Sequence, residues 1–331
     1  MMRDAILNFA KQFEYEPVIE NAENFVPRDK FIVCGMGGSG HSADIIHTLR
    51  PELDILIHRD YGLPKISEKE IQDRLIIISS YSGNTEEPLE AFEEAFRKKL
   101  ALAAVSVGGK LLDLAKSRDV PFIQLPNIGI QPRSASGFSL MALLRLMSQN
   151  QLMTQAGSMA RTLKPQDLEK SGKELAEKLK GYVPVIYASS RNYSIANNWK
   201  IKMNENSKIP AFCNVFPELN HNEMNGFSAE GGPASGGDVS EIKKLSEKFH
   251  FIFLKDSEDH PKIVERMKIT AELYRQRDLP VEVIELQGSN SLEKIFNSLL
   301  LADWTSFYIG EIYGSEVEQV PMVEEFKKLI A

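Results

Sequence analysis

The sequence predicts an α/β protein of two domains, each a doubly wound, mainly parallel sheet flanked by helices. Three observations carry that expectation. Short apolar runs alternate with stretches of helical period, the rhythm of successive βα units. The rhythm occurs twice, before and after a stretch from Ser148 to Lys164 that shows no strong period and reads as a connecting segment. A chain of 331 residues is also long enough for two domains of ordinary size. The expected domains are 1–150 and 151–331.

In chain order, Arg3 to Phe13 reads as a helix with Ile6, Leu7, Phe9 and Ala10 on its apolar face. The strand Phe31–Cys34 runs into Gly35-Met36-Gly37-Gly38-Ser39-Gly40, and a helix follows through Ile45, Ile46 and Leu49. A second strand covers Ile55–Ile57. Leu75 to Ile78 are continuously apolar, as in a strand buried on both faces. Ser79 to Thr85 then place five hydroxyls in seven residues around Gly83, which is free to take a positive φ. From Thr85, a good N-cap, Leu89, Phe92 and Phe96 fall at helical spacing, Pro88 sits in the first turn, and Arg97 to Lys99 complement the far end of the dipole. The strand Leu102–Val107, a helix from Lys110 to Lys116, the strand Phe122–Leu125, a loop from Pro126 to Gly137 and the helix Phe138–Met147 complete the first domain.

The second domain opens with a helix from Gln166 to Lys180 that ends at Gly181, a typical C′ residue. Its strands are Val183–Ala188, Phe251–Leu254 and Val281–Leu286. Its helices lie near Tyr193–Met203, Pro261–Arg277 and Leu292–Tyr313, and a last amphipathic helix, Met322–Ile330, carries Val323, Phe326 and Ile330. The repeat is imperfect, because Tyr187 to Arg191 stand where the first domain has its glycine-rich turn.

Composition removes several classes of function. The chain is 43% hydrophobic and 26% charged with a net charge of −7, and its longest basic run is Arg97 to Lys99, which argues against nucleic-acid and anionic-membrane partners. No apolar run approaches membrane-spanning length, and Met1 to Phe13 is charged and amphipathic, unlike a signal peptide. Cys34 and Cys213, far apart in apolar contexts, read as buried thiols of a reducing cytoplasm. The six histidines show no metal-ligand spacing, so neither metal nor redox cofactor is expected.

What remains points to a phosphate. A strand, a hydroxyl-rich turn and a helix N-terminus aim unpaired N–H groups and hydroxyls at one place. No GxxxxGK[ST] is present, so the pattern suits a compact terminal phosphate on a sugar rather than a nucleoside triphosphate. One competing signal is strong. Gly35, Gly37 and Gly40 match GxGxxG in a strand–turn–helix context, with Asp60 near the place of a ribose-binding acid. That dinucleotide reading leaves the Ser79–Thr85 loop and Ser39 without a role, whereas one phosphate held by both loops uses them all.

Ser80, Ser82, Gly83 and Thr85 form an SxSGxT pattern that resembles the phosphate loop of sugar isomerase (SIS) domains. Alone, Glu205 could be a solvated helix-end glutamate, His221 a surface or capping residue and Arg133 a loop arginine. Together, NENSK with Glu205, PELNHNE with His221 and PRSASG with Arg133 resemble the bifunctional phosphoglucose/phosphomannose isomerase family, a two-SIS-domain branch of the phosphoglucose isomerases. The resemblance extends from the loop at Gly35 to Lys327. It implies that Gly37, Gly38, Ser39, Ser80, Ser82, Thr85 and Arg133 bind substrate, and that Glu205 moves a proton between C1 and C2 through a cis-enediol. Arg133 would stabilise the enediolate. His221 and Lys327 would open the sugar ring, the histidine coming from the other subunit of a homodimer.

The chemistry suits these residue types. An aldose–ketose shift removes a proton α to a carbonyl, which needs a carboxylate held close to the carbon. The charge that develops on two oxygens is stabilised by a fixed guanidinium. Ring opening moves a proton between sugar oxygens, a task for an imidazole. The expected substrates are fructose 6-phosphate, glucose 6-phosphate and mannose 6-phosphate. Two alternatives remain: a non-catalytic SIS sensor of sugar phosphates, which needs the loops but not Glu205, His221 or Arg133, and a Rossmann dehydrogenase. The chain departs from the family pattern before the last helix, where Glu318 replaces a threonine, and Lys328 competes with Lys327 for the C-terminal assignment.

Overall fold

A computed structural model describes residues 2–228 and 239–330. The chain divides into two compact units, Arg3–Pro165 and Gln166–Ala331. The first begins with α1 (Met2–Leu7) and a 3-10 turn, Phe9–Glu14, in place of one continuous helix. Its sheet comprises β1 (Lys30–Cys34), β2 (Asp54–His58), β3 (Leu75–Ser79), β4 (Leu102–Ser106) and β5 (Phe122–Gln124), in the order β2-β1-β3-β4-β5 and parallel throughout. Helices α2 (Gly37–Leu49), α3 (Glu68–Gln72), α4 (Glu86–Arg97), α5 (Gly109–Ser117), α6 (Ser136–Leu146) and α7 (Asn150–Thr162) connect and cover it. Every residue of β3 and β4 is buried, which is why these strands read as continuous apolar runs: a parallel sheet covered on both faces has no solvated side to alternate with.

The stretch Ser148 to Lys164 is not a connector. It forms α7, whose Leu152, Ala156 and Met159 are buried at spacings of four and three and pack toward α6 and the Phe9–Glu14 turn. The division therefore follows Pro165 rather than residue 150, because α7 belongs to the first core.

The second unit has α8 (Glu169–Leu179), β6 (Val183–Ser189), α9 (Tyr193–Lys202), β7 (Phe212–Phe216), α10 (Val239–Ser246), β8 (Phe249–Lys255), α11 (Pro261–Arg275), β9 (Val281–Glu285), α12 (Ser291–Tyr313) and α13 (Pro321–Ile330). Its sheet order is β7-β6-β8-β9, again all parallel. Thus β6, β7 and β8 repeat the connectivity of β1, β2 and β3. The core strands pack Tyr187, Phe216, Phe251 and Phe253 against Tyr274 of α11. Trp199 and Trp304 are fully buried on α9 and α12.

In both sheets the strand order reverses beside the first strand, and the carboxyl ends of the strands flanking that point frame a crevice. The order 2-1-3-4-5 of the first sheet differs from the 3-2-1-4-5-6 order of the dinucleotide fold, which weighs against the GxGxxG reading. In the second unit the corresponding place is filled from within. Lys294 Nζ donates to Asp256 Oδ1, Ser257 Oγ and Glu258 Oε1, each at 2.9 Å, which uses all three of its protons. Arg191 Nη2 donates to Glu258 Oε2 at 2.6 Å, and Asn192 Nδ2 donates to Asp256 Oδ2 and Asp259 Oδ1 at 3.3 Å.

Candidate active site

In the first unit the loops after β1 and β3 lie side by side, since the two strands pair directly, Cys34 opposite Ile78. Two hydrogen bonds join them: Tyr81 N donates to Ser39 Oγ at 2.9 Å, and Ser79 Oγ donates to the Ser39 carbonyl at 3.0 Å. Each loop opens a helix without a side-chain cap. Met36 is the N-cap of α2 and Thr85 that of α4, and neither side chain accepts from its own first turn. Thr85 occupies the expected position but does not cap. Its Oγ1 instead accepts from Ser80 Oγ at 3.1 Å, and Ser80 Oγ in turn accepts from Gly83 N at 3.2 Å. Ser82 Oγ accepts from Asn84 N at 3.3 Å.

These bonds order a cluster of hydroxyls between the two loops. Ser39, Ser82 and Thr85 each receive one internal hydrogen bond and keep their own O–H proton to donate. Ser80 passes its proton to Thr85. Two uncapped helix N-termini add backbone N–H groups and positive dipole ends. Gly83 has φ 72°, and a Cβ there would lie 1.8 Å from the Gly108 carbonyl oxygen, so only glycine fits this crossing of loops. Gly38 is constrained less severely, since a Cβ on it would meet the Pro132–Arg133 backbone at 3.0 Å. That contact brings the Arg133 turn, a 3-10 segment Pro132–Ser134, onto the start of α2. Arg133 is 4% exposed, not a solvated loop residue. Asp60 turns back on its own loop, accepting from Tyr61 N at 2.8 Å.

In the second unit Glu205 lies beyond the end of α9, within a π-helical turn, Met203–Ser207, a geometry often found at functional sites. The half-buried Glu205 is flanked by buried Asn206 and Ser207, which anchor the turn to α12. Asn206 Nδ2 donates to Ser306 Oγ and Ser207 Oγ to the Ser306 carbonyl, both at 2.8 Å. Below them Lys202 pairs with Asp303, both buried, and donates to the Leu299 carbonyl at 3.2 Å. Lys208, in the left-handed region at φ 58°, ends the turn.

His221 is exposed on the 3-10 turn Glu218–His221, after the cis peptide Phe216–Pro217. The segment is fixed on both sides of it. Asn220 Nδ2 donates to Thr270 Oγ1 of α11 at 2.8 Å, and the Glu223 carboxylate accepts from Tyr187 of β6 and Asn214 of β7. Burial, with the neighbouring Tyr274 and Glu223, pushes the Tyr187 phenol far above its ordinary pKa, so it stays a donor to Glu223. Lys327 is exposed on α13, paired with Glu324 at 2.8 Å.

The cysteines divide. Cys34 is buried in β1, and desolvation, helped by Glu94, pushes its thiol up to about 12, so it is inert. Cys213 on β7 is only half-buried, against expectation, because β7 is an edge strand. No helix among the described residues is long and apolar enough to cross a membrane.

Two doubly wound parallel sheets, each flanked by helices and each reversing its strand order beside its first strand, make an α/β protein of the SIS class. Residues 168–330 match the family described as bacterial phospho-glucose isomerase C-terminal SIS domain. A bifunctional phosphoglucose/phosphomannose isomerase of Aquifex aeolicus is 31% identical over 97% of this chain and 95% of its own length. One from Caldicellulosiruptor bescii is 32% identical over 92% and 90%. The fold also matches a Thermotoga maritima glucosamine-6-phosphate deaminase structure, with a TM-score of 0.69 at 15% identity over 97% of this chain and 96% of that one. The chain belongs to the bifunctional phosphoglucose/phosphomannose isomerase family.

Proposed function

We propose that the chain interconverts fructose 6-phosphate with glucose 6-phosphate and mannose 6-phosphate, two aldoses epimeric at C2. The observation that carries this reading is a half-buried carboxylate on a π turn locked to α12, in a chain related to these isomerases over nearly its whole length. The hydroxyls of Ser39, Ser82 and Thr85 and the N–H groups of Gly37 and Gly38 anchor the phosphate, with Ser80 aligning Thr85. His221, with Lys327, passes the proton of the anomeric hydroxyl, O2 in the ketose and O1 in the aldoses, to the ring oxygen to open the sugar. Glu205 takes the proton from C1 of the ketose, and the role of Arg133 in this reading is to stabilise the enediolate that forms. A proton passes from O1 to O2, the same carboxyl returns its proton to C2, and the aldose carbonyl forms at C1. A non-catalytic sensor would not need so firmly anchored a glutamate.

The test is a coupled assay on glucose 6-phosphate and mannose 6-phosphate. Glu205→Gln keeps the shape of the side chain and removes the proton acceptor, so kcat is expected to fall by about 10²–10⁴ on both substrates. Full activity in that variant, or no turnover of either sugar by the wild type, sinks the reading.

A further inference from the structure

Gln12, which the sequence pattern places in an ordinary amphipathic helix, is 3% exposed and bonded across 122 positions of sequence. Its Nε2 donates to the Ser134 carbonyl at 2.7 Å, and its Oε1 accepts from Gly137 N at 3.0 Å and Phe138 N at 3.3 Å. These three bonds bracket Arg133. Ser134 closes the turn that bears it, and Gly137 and Phe138 are the second and third residues of α6. The N-cap of α6 is Ala135, which has no side chain to satisfy those donors, so the amide of Gln12 does so from outside. Gly137 makes room for it, since a Cβ there would meet Gln12 Oε1 at 2.9 Å.

The segment that carries Gln12 is itself tied down. Tyr15 donates to the Gln124 carbonyl at 2.8 Å, and Glu20 exchanges backbone bonds with Phe122 of β5 at 2.8 and 3.2 Å. From the other side, Gly38 abuts the Pro132–Arg133 backbone, and Ser42 Oγ donates to the Ser136 carbonyl at 3.1 Å. We propose that Gln12 is a positioning residue for Arg133: its amide fixes the turn from which the guanidinium meets the enediolate. This rests on the reading of Arg133 given above. None of the three bonds involves the phosphate-binding hydroxyls, so anchoring of substrate and placement of the cation are separable.

The test compares Gln12→Met, which keeps the volume and removes all three bonds, with Gln12→Glu, in the wild type and in Arg133→Ala. It reads kcat, KM for fructose 6-phosphate and inhibition by inorganic phosphate, with circular dichroism to establish folding. In Gln12→Met, kcat is expected to fall about 10- to 100-fold, the scale of an ångström misplacement, with KM and phosphate inhibition within about two-fold. On the Arg133→Ala background the same change should alter kcat by less than about two-fold, because the residue it acts through is gone. Gln12→Glu keeps both acceptor bonds. Its ionised carboxylate cannot donate to Ser134, while its protonated form can, so its kcat relative to wild type should rise as pH falls; if Gln12→Met does not fold, this variant decides. An unchanged kcat in folded Gln12→Met, an equal loss on both backgrounds, or a pH-independent ratio for Gln12→Glu overturns the proposal. Full activity in Arg133→Ala overturns the reading of Arg133, and the role of Gln12 with it.

Discussion

Ser80 donates its hydroxyl proton to Thr85 Oγ1, so of these two neighbours Thr85 presents the free O–H and Ser80 aligns it. Ser80, Ser82 and Thr85 are therefore not equivalent. If the loop seats the phosphate as proposed, Thr85→Val and Ser82→Ala each remove a donor to it, a charge-assisted bond contributing roughly 1.5–3 kcal/mol, and should raise KM accordingly. Ser80→Ala should raise KM less than either, since Thr85 keeps its own proton. The measurement is KM for fructose 6-phosphate beside the inhibition constant of inorganic phosphate. If Ser80→Ala weakens both most, Ser80 is a direct ligand and this proton assignment is wrong. At the same scale, Glu205 and Arg133 differ in how they are held, the one by two buried neighbours on a π turn, the other by the close approach of its backbone to Gly38.

Helices and strands are where the cluster around Lys294 acts, joining the loop after β8 to α12 and to the start of α9. Burial alone would raise the Asp256 carboxyl, but the hydrogen bond from Lys294, aided by Glu258 N and Asn192, outweighs it and leaves the pKa below the ordinary value. Glu258 is lowered by its bonds from Lys294 and then Arg191. Depressed carboxyls contribute stability that is present above their unfolded pKa values, about 4, and lost as pH falls through the lower folded ones. Lys294→Met removes the main cause, so Asp256 becomes a buried, poorly paired acid that protonates sooner. Stability at neutral pH should drop by about 3–5 kcal/mol, and the acid transition should begin at higher pH. Circular dichroism during acid titration checks this, and coincident transitions for variant and wild type refute it.

The elements also show which signals the sequence displays. Strands β3 and β4 were legible because burial on both faces leaves Leu75–Ile78 and Leu102–Val105 continuously apolar, and the hydroxyl loop was legible because strand, turn and helix are contiguous. The period of α7 was present in Leu152, Ala156 and Met159 but diluted by glutamines and threonines. The π turn was not legible, since it depends on Ser306, 100 positions beyond Asn206. Gln12 and Lys202 look like solvent-facing residues in local sequence, and only distant partners explain their burial. Arg133 and His221 stood out through family resemblance, not through any local pattern.

At the scale of the whole molecule, α13 displays Met322, Val323, Phe326, Leu329 and Ile330, and Met322 and Leu329 are 81% and 79% exposed. An apolar stripe of this kind calls for a covering surface; separately, the resemblance to the isomerase family implies a homodimer in which His221 serves the other subunit, and that is open to test. Chains carrying Glu205→Gln and His221→Ala, inactive apart, should then complement when mixed. One site of the mixed dimer would combine intact Glu205 with the partner's intact histidine, and the other would carry both lesions, so activity should approach half of wild type. No recovery in dimers shown to have exchanged chains would place both residues in one subunit. The ion cluster at the end of β8 has one more consequence, for stoichiometry. Two sheets of like topology suggest two equivalents of ligand, yet in the second the cations that could greet an anion are already neutralised by Asp256 and Glu258. A calorimetric titration with sugar phosphate should therefore saturate at one equivalent per chain, the second fold acting as a receptor that has taken its own side chains as its guest.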